Sequence, residues 1–139
     1  MTLSVTDRMD ILDVITRADQ AASSRDAAAY VRLFTEEAVL DGTQGRHAGR
    51  AALRDAVGPV WAAEGPVTLH LTLNPVVTAL DSDSDDSPRA SVQSTLLIID
   101  PSPPITIRTA AAITQVLQRE KGSWFIARRT VAAPGTAGR

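Results

Sequence analysis

The chain has 139 residues, the size of one domain able to bury a sizeable core. Its 14 basic and 16 acidic residues leave a formal net charge of -2, which excludes an electrostatic grip on nucleic acid or on an anionic membrane surface. With no cysteine, disulfides, thiolate metal sites and cysteine nucleophiles are excluded together. The first residues carry no basic region followed by an apolar run, and no stretch approaches the roughly eighteen apolar residues of a membrane span. A soluble, cytoplasmic protein is the expectation.

In chain order, a first helix starts near Thr6 or Asp7, either of which can accept hydrogen bonds from first-turn amides. Ile11, Ile15, Ala18 and Ala22 follow at helical spacing and form its apolar stripe. Ser23, Ser24 and Arg25 break the pattern, and Asp26 caps a second helix over 27–35 with Tyr30, Val31 and Phe34 on one side. Residues 37–41 read as a short strand, 42–45 as its turn and 46–48 as a short return strand. A third helix over 51–63 has Leu53, Val57, Val60 and Trp61 as its apolar face. Gly58-Pro59 lies inside it and predicts a kink or an early stop.

Residues 67–80 alternate strictly at their start. Val67, Leu69, Leu71 and Leu73 fall on one side, and Thr68, His70, Thr72 and Asn74 on the other. The polar row lines either a ligand pocket or a subunit contact, and His70 and Asn74 are expected to look inward. Pro75 invites a bulge beside Asn74. Residues 81–88 hold four aspartates and read as a solvated hairpin loop, because the glycine and terminal glutamate of a calcium loop are missing. Three further strands follow over 89–99, 105–119 and 124–131, joined by a proline-rich turn at 100–104 and a tight turn at 120–123. The domain thus spans 6–132, between a flexible start at 1–5 and a frayed tail at 133–139.

The order of elements, three helices and then a meander of long strands, carries a resemblance in four places. Residues 26–41, DAAAYVRLFTEEAVLD, resemble the second-helix-to-strand signature of SnoaL-like proteins in the NTF2-like superfamily. Gly49 to Leu53 resembles that family's entry to the third helix, the run from His70 through Asn74 to Val77 its long central strand, and Gly122 to Arg129 its closing hairpin. The resemblance implies an α+β, cone-shaped, cystatin-like fold, with the three N-terminal helices packed in a curved, mainly antiparallel sheet. It also implies a homodimer joined sheet to sheet. Such folds host isomerases, cyclases and dehydratases as well as members without known activity, so function rests on the site.

Asp41 and His70 are the candidate proton-transfer residues. A buried carboxylate rises toward the pKa that shuttling needs, and imidazole starts near neutrality. The opposing readings are a turn-forming Asp41 and a His70 that serves the sheet or a dimer face. Counted along the family pattern, the ketosteroid isomerase base falls on Gly42 and its enolate-holding tyrosine near Ala18, which argues against steroid isomerisation. Tyr30 and Trp61 are candidate cavity aromatics, Asn74 a candidate for orienting an oxygen, and Arg108 for an acidic ligand or a cross-dimer pair. Arg128 and Arg129 are expected on the sheet surface, and His47 in solvent. No metal site is expected from two separated histidines, and no cofactor. Two functions follow: binding of a small, mostly apolar molecule in the cone, or cofactor-free acid/base catalysis as a cyclase, isomerase or dehydratase.

Overall fold

Ser4 starts the first helix. In the computed structural model, which describes residues 2–42, 45–81 and 87–132, the Ser4 hydroxyl accepts from the Asp7 amide at 3.0 Å, and the Asp7 carboxylate accepts from the Ser4 amide at 3.2 Å. This capping box satisfies two amides at the helix entry, so α1 (Val5–Ser23) begins ahead of the expected Thr6 or Asp7 cap. Asp7 also accepts hydrogen bonds from Trp124 Nε1 at 3.1 Å and Arg119 Nη1 at 3.2 Å. Burial works to raise its pKa, but the hydrogen bonds from Trp124 and Ser4 win and the carboxyl titrates below its ordinary value. Leu3 is buried in the core. Residues 3 and 4 are therefore tied into the fold, where a flexible lead-in was expected.

The second helix, α2 (Ala27–Val31), is capped by Asp26 as expected but ends four residues early. The Leu33 carbonyl already accepts the Ile126 amide at 2.8 Å, and the fully buried Phe34 opens β1 (Phe34–Gly42). Strand pairing has taken those residues from the helix. β2 (Gly45–Ala48) returns antiparallel to β1; Thr43 and Gln44 of the expected turn lie outside the described residues.

α3 (Arg50–Ala63) runs on past Gly58 and Pro59, so the expected early stop does not occur. Proline in a helix interior costs about 3 kcal/mol relative to alanine. Leu53, Val57 and Trp61 on the same helix are all buried, each worth roughly 1.5–3 kcal/mol or more. The apolar face outweighs the break.

Four long strands complete the chain: β3 (Leu69–Leu80), β4 (Arg89–Asp100), β5 (Thr106–Glu120) and β6 (Ser123–Ala132). The sheet order is β2-β1-β6-β5-β4-β3, antiparallel throughout except for the parallel pair β1 and β6. The expected loop at 81–88 and tail at 133–139 fall largely on residues 82–86 and 133–139, which lie outside the described residues. The helices fill the inner face of the sheet. Ile11, Ile15 and Ala22 of α1 and Leu53 and Val57 of α3 share one core with Val92, Leu117, Trp124 and Ile126.

Bulges on β3 and β6 decide which of their polar side chains look inward. On β3 the pairing with β4 shifts between Leu73 and Val76, and Asn74 takes a φ of 55°. Before this shift the polar row faces the helices: Thr68 and His70 are buried. Leu69, Leu71 and Leu73 lie on the outer, solvent face. On β6 the pairing with β5 steps from Leu117 opposite Ile126 to Val116 opposite Arg128, leaving Ala127 as the extra residue. Trp124 and Ile126 point inward before the step, and Arg129 and Val131 after it. Without the bulge, alternation would carry Arg128 inward instead.

Gly58 is helical and directly precedes Pro59, whose ring crowds a Cβ on the residue before it, so glycine suits that position. Pro59, exposed in the same helix, is the costly residue, and Pro59→Ala should raise stability by up to about 3 kcal/mol, read by urea denaturation.

Candidate functional site

The site grows from the way α1 meets β3. The Asp19 carboxylate accepts from both the Thr72 amide at 2.9 Å and the Thr72 hydroxyl at 3.0 Å. One turn later the Ser23 hydroxyl accepts the His70 amide at 2.9 Å. Arg25, held at a φ of 57°, donates to the Gly65 carbonyl and reaches Thr68 Oγ1 at 3.4 Å. The inward polar row of β3 is thus matched by a polar edge on α1, and each buried group has a partner.

With its backbone so held, His70 turns its ring toward the end of α3. Its Nε2 lies 2.9 Å from Glu64 Oε1, and the two side chains are only 4% and 11% exposed. Glu64 is the C-cap of α3, and Gly65, at a φ of 118°, turns the chain back into the strand that carries His70. Six residues of sequence separation become one hydrogen bond.

Both residues line a cavity of about 140 Å³ between helices and sheet. Trp61, Val60 and Val57 of α3 and Leu96 and Ile98 of β4 wall it with apolar surface. Tyr30 stands edge-on to Trp61 with ring centroids 5.3 Å apart, and packs on Phe34 at 4.9 Å. Burial pushes the Tyr30 phenol above its ordinary pKa, partly offset by the nearby charge of Arg129. Arg129 enters the same cavity, 4% exposed, with its guanidinium 6.0 Å from the Tyr30 ring. Among the described residues it has no carboxylate within 4.0 Å.

The structure gathers some of the sequence candidates and disperses others. His70, Tyr30 and Trp61 share the cavity. Asp41 does not line it: on β1 Leu40 and Gly42 face inward, and Asp41 lies on the opposite face, paired with Arg128 at 3.3 Å. Asn74 is exposed at the bulge, against the expectation that it looks inward, because its left-handed backbone interrupts the alternation. Arg108 lies half exposed outside the cavity, 3.9 Å from Asp100 and close over Gly65.

Three cavity residues were not singled out. His47 sits opposite the inward Leu40 in the β1–β2 register and is half-buried, not solvent-exposed. Arg129 was expected on the surface, and the β6 bulge reverses that. Glu64 had a readable signal: an acidic residue at a helix end, one Gly-Pro turn before a strand that begins with an inward polar row.

Burial raises the pKa of Asp19, and the charge of Arg129 and the hydrogen bonds from Thr72 offset part of that rise. A raised carboxyl favours the folded state in its protonated form, so its contribution is full below about pH 3.8 and is lost as pH rises through the folded value. Asn at this position keeps an acceptor for the Thr72 amide and a donor for its hydroxyl. Asp19→Asn should therefore gain stability relative to the parent as pH rises above about 4, measured by thermal melts across pH.

Comparison with known proteins gives the fold and the family. A protein of unknown function with a cystatin-like fold from Nostoc punctiforme is 18% identical over 97% of both chains, with a TM-score of 0.84. An NTF2-like protein from Novosphingobium aromaticivorans, also of cystatin-like fold, is 22% identical over 96% of this chain and 86% of its own, with a TM-score of 0.74. ActVI-ORFA from Streptomyces coelicolor is 18% identical over 91% of this chain and 96% of its own, at a TM-score of 0.73. No curated protein matches. The SnoaL-like domain family matches residues 3–130, nearly the whole described chain, and the protein belongs to that family, with the α+β cone of the NTF2-like superfamily.

Proposed function

We propose that the cone cavity binds a small, mostly apolar molecule of about one ring, with the His70–Glu64 pair at its polar end. The observation that carries this reading is that buried pair, hydrogen-bonded at 2.9 Å inside a wall of Trp61, Val60, Leu96 and Ile98. A dry apolar cavity of roughly 150 Å³ is enough to hold benzene, and the volume here is about 140 Å³. Phenol should therefore bind with quenching of tryptophan fluorescence, and Leu96→Trp, which fills the space, should abolish it. Equal quenching in parent and filled variant would refute cavity binding.

The same pair favours a second reading, cofactor-free acid/base catalysis. With Nε2–H donated to Glu64, the other ring nitrogen keeps its lone pair, and the carboxylate stabilises the imidazolium that forms when it takes a proton. Glu64 thus stands beside His70 as an orienting carboxylate, a different role from the proton transfer considered for Asp41. Isomerisation, cyclisation and dehydration all begin with such a proton abstraction beside a carbonyl. In heavy water, a small cyclic ketone such as cyclohexanone should exchange its α-hydrogens faster with the protein present. Positioned general bases contribute about 10²- to 10⁴-fold, so His70→Ala should remove most of that acceleration. Exchange unchanged in His70→Ala would sink the catalytic reading and leave the binding one.

The outer sheet face supports a homodimer. Leu69 of β3 pairs with Ile99 of β4, which pairs with Ile107 of β5, a continuous apolar row on the outside of the cone. Leu71, Leu73 and Val76 extend it along β3, at 36%, 37% and 63% exposure. Contiguous apolar patches of this kind mark association surfaces. The protein should sediment as a dimer at micromolar concentration and Leu71→Lys as a monomer; a monomeric parent would exclude the sheet-to-sheet contact.

A further inference from the structure

Five buried side-chain atoms have no hydrogen-bond partner among the described residues, and four of them fall on one patch of the inner sheet face. They are Ser94 Oγ on β4, both amide atoms of Gln115 on β5, and Arg129 Nη1 on β6. Gln115 pairs directly with Arg129 across β5 and β6, and with Val92 across β4 and β5, so the three share a face. Ser94, two residues on from Val92, stands on the diagonal to Gln115. Gln115 is fully buried and Arg129 nearly so. Native interiors leave few such atoms unpaired, and those that are unpaired tend to mark a function.

We propose that Arg129, where this patch meets the cavity, is an anion-recognition subsite, and that the ligand is a ring-sized carboxylate whose acid group docks on its guanidinium, with Gln115 next to the arginine on the same sheet face but outside the cavity lining. The inference rests on the reading that the cavity binds a small molecule and narrows its class. Arg129 opens into the cavity and presents a planar fork suited to two carboxylate oxygens. The groups that share the cavity or its electrostatic neighbourhood do not already take that fork. Asp19 is committed to Thr72 through both oxygens, Glu64 to His70, and the Tyr30 ring centroid lies 6.0 Å from the guanidinium.

Of the residues with orphaned atoms on this patch, Arg129 is the one that lines the cavity, and its Nη1 is a charged donor. That donor suits a guest that accepts hydrogen bonds and carries negative charge. Glu64 repels the same charge at the His70 end, which fixes the orientation: acid toward β5 and β6, ring toward Trp61. Gln115, paired with Arg129 across β5 and β6 and outside the cavity lining, is a positioning residue that acts through the guanidinium. The β6 bulge is the backbone device that brings Arg129, rather than Arg128, to this face.

Benzoate and its neutral counterpart benzyl alcohol, titrated by calorimetry into the full chain, test the proposal. Benzoate is expected to bind more tightly, and Arg129→Met to weaken benzoate by about 10- to 100-fold, the worth of a hydrogen bond to a charged group, with benzyl alcohol nearly unaffected. Gln115→Leu, close in volume, is expected to raise the melting temperature of the free protein while weakening benzoate selectively; a merely structural glutamine would give lower stability and no selectivity. Should Arg129→Met fail to fold, Gln115→Leu and the benzoate preference of the parent decide alone. Benzyl alcohol binding as well as benzoate, or benzoate indifferent to both substitutions, overturns the anion subsite while the cavity reading stands. Binding of neither compound overturns both.

Discussion

The hydrogen-bonded seam between the second half of α1 and the first half of β3 is what the rest of the molecule depends on. A sheet that curls around helices must bury the inner face of its outermost strand, and here that face is polar. Asp19, Ser23 and Arg25 answer Thr72, His70 and Thr68 almost residue for residue. An unmatched polar group in this position would cost about 1–3 kcal/mol. The matched seam instead seats the edge strand in one register, and that register sets where the His70 ring lies relative to Glu64 and the cavity.

Much of the fold was legible because periodicity reports burial. Ile11, Ile15, Ala18 and Ala22 marked the inner face of α1, and Ala111, Ile113 and Gln115 share the inner face of β5, whereas Ile107 of the same alternation lies outside because the β4–β5 pairing shifts between Ile98 and Ile99. What could not be read was direction. The leucines of β3 look like core to any rule that equates apolar with inside, yet they lie on the outer face because α1 supplies polar partners for the opposite row. Parity failed in the same way at Arg128 and Arg129. One extra residue at Ala127 exchanges which arginine is buried, and nothing local in the sequence announces a bulge there. Asn74 and Pro75, by contrast, did announce theirs.

The candidate site was half legible for a related reason. His70 and Trp61 stand on long regular elements, and Tyr30 on a short helix whose Asp26 cap was legible. Asp41 was placed by analogy of position and falls on the outer side of β1. Glu64 and Arg129 depend on a turn and a bulge, where a single backbone angle redirects a side chain by several ångströms. Their charges gather in a cavity of about 140 Å³ with Asp19 close behind. Low polarizability around them makes each charge matter more to its neighbours than it would in water.

Pro75 has a bearing on assembly beyond the bend it makes. β3 is the last strand of the sheet, so one side of its backbone has no strand beside it in the monomer, and the strand carries an apolar outer row as well. Such an edge is normally a template on which further chains add strand by strand. Here a residue without an N–H, next to one in left-handed conformation, interrupts the ladder at mid-strand. Growth along the edge is blocked at its centre, and before it α1 already takes the His70 and Thr72 amides, while the outer leucine face is untouched. On the dimer proposed above, the outer leucine row would serve one closed, face-to-face contact, and the edge beside it offers no open-ended one.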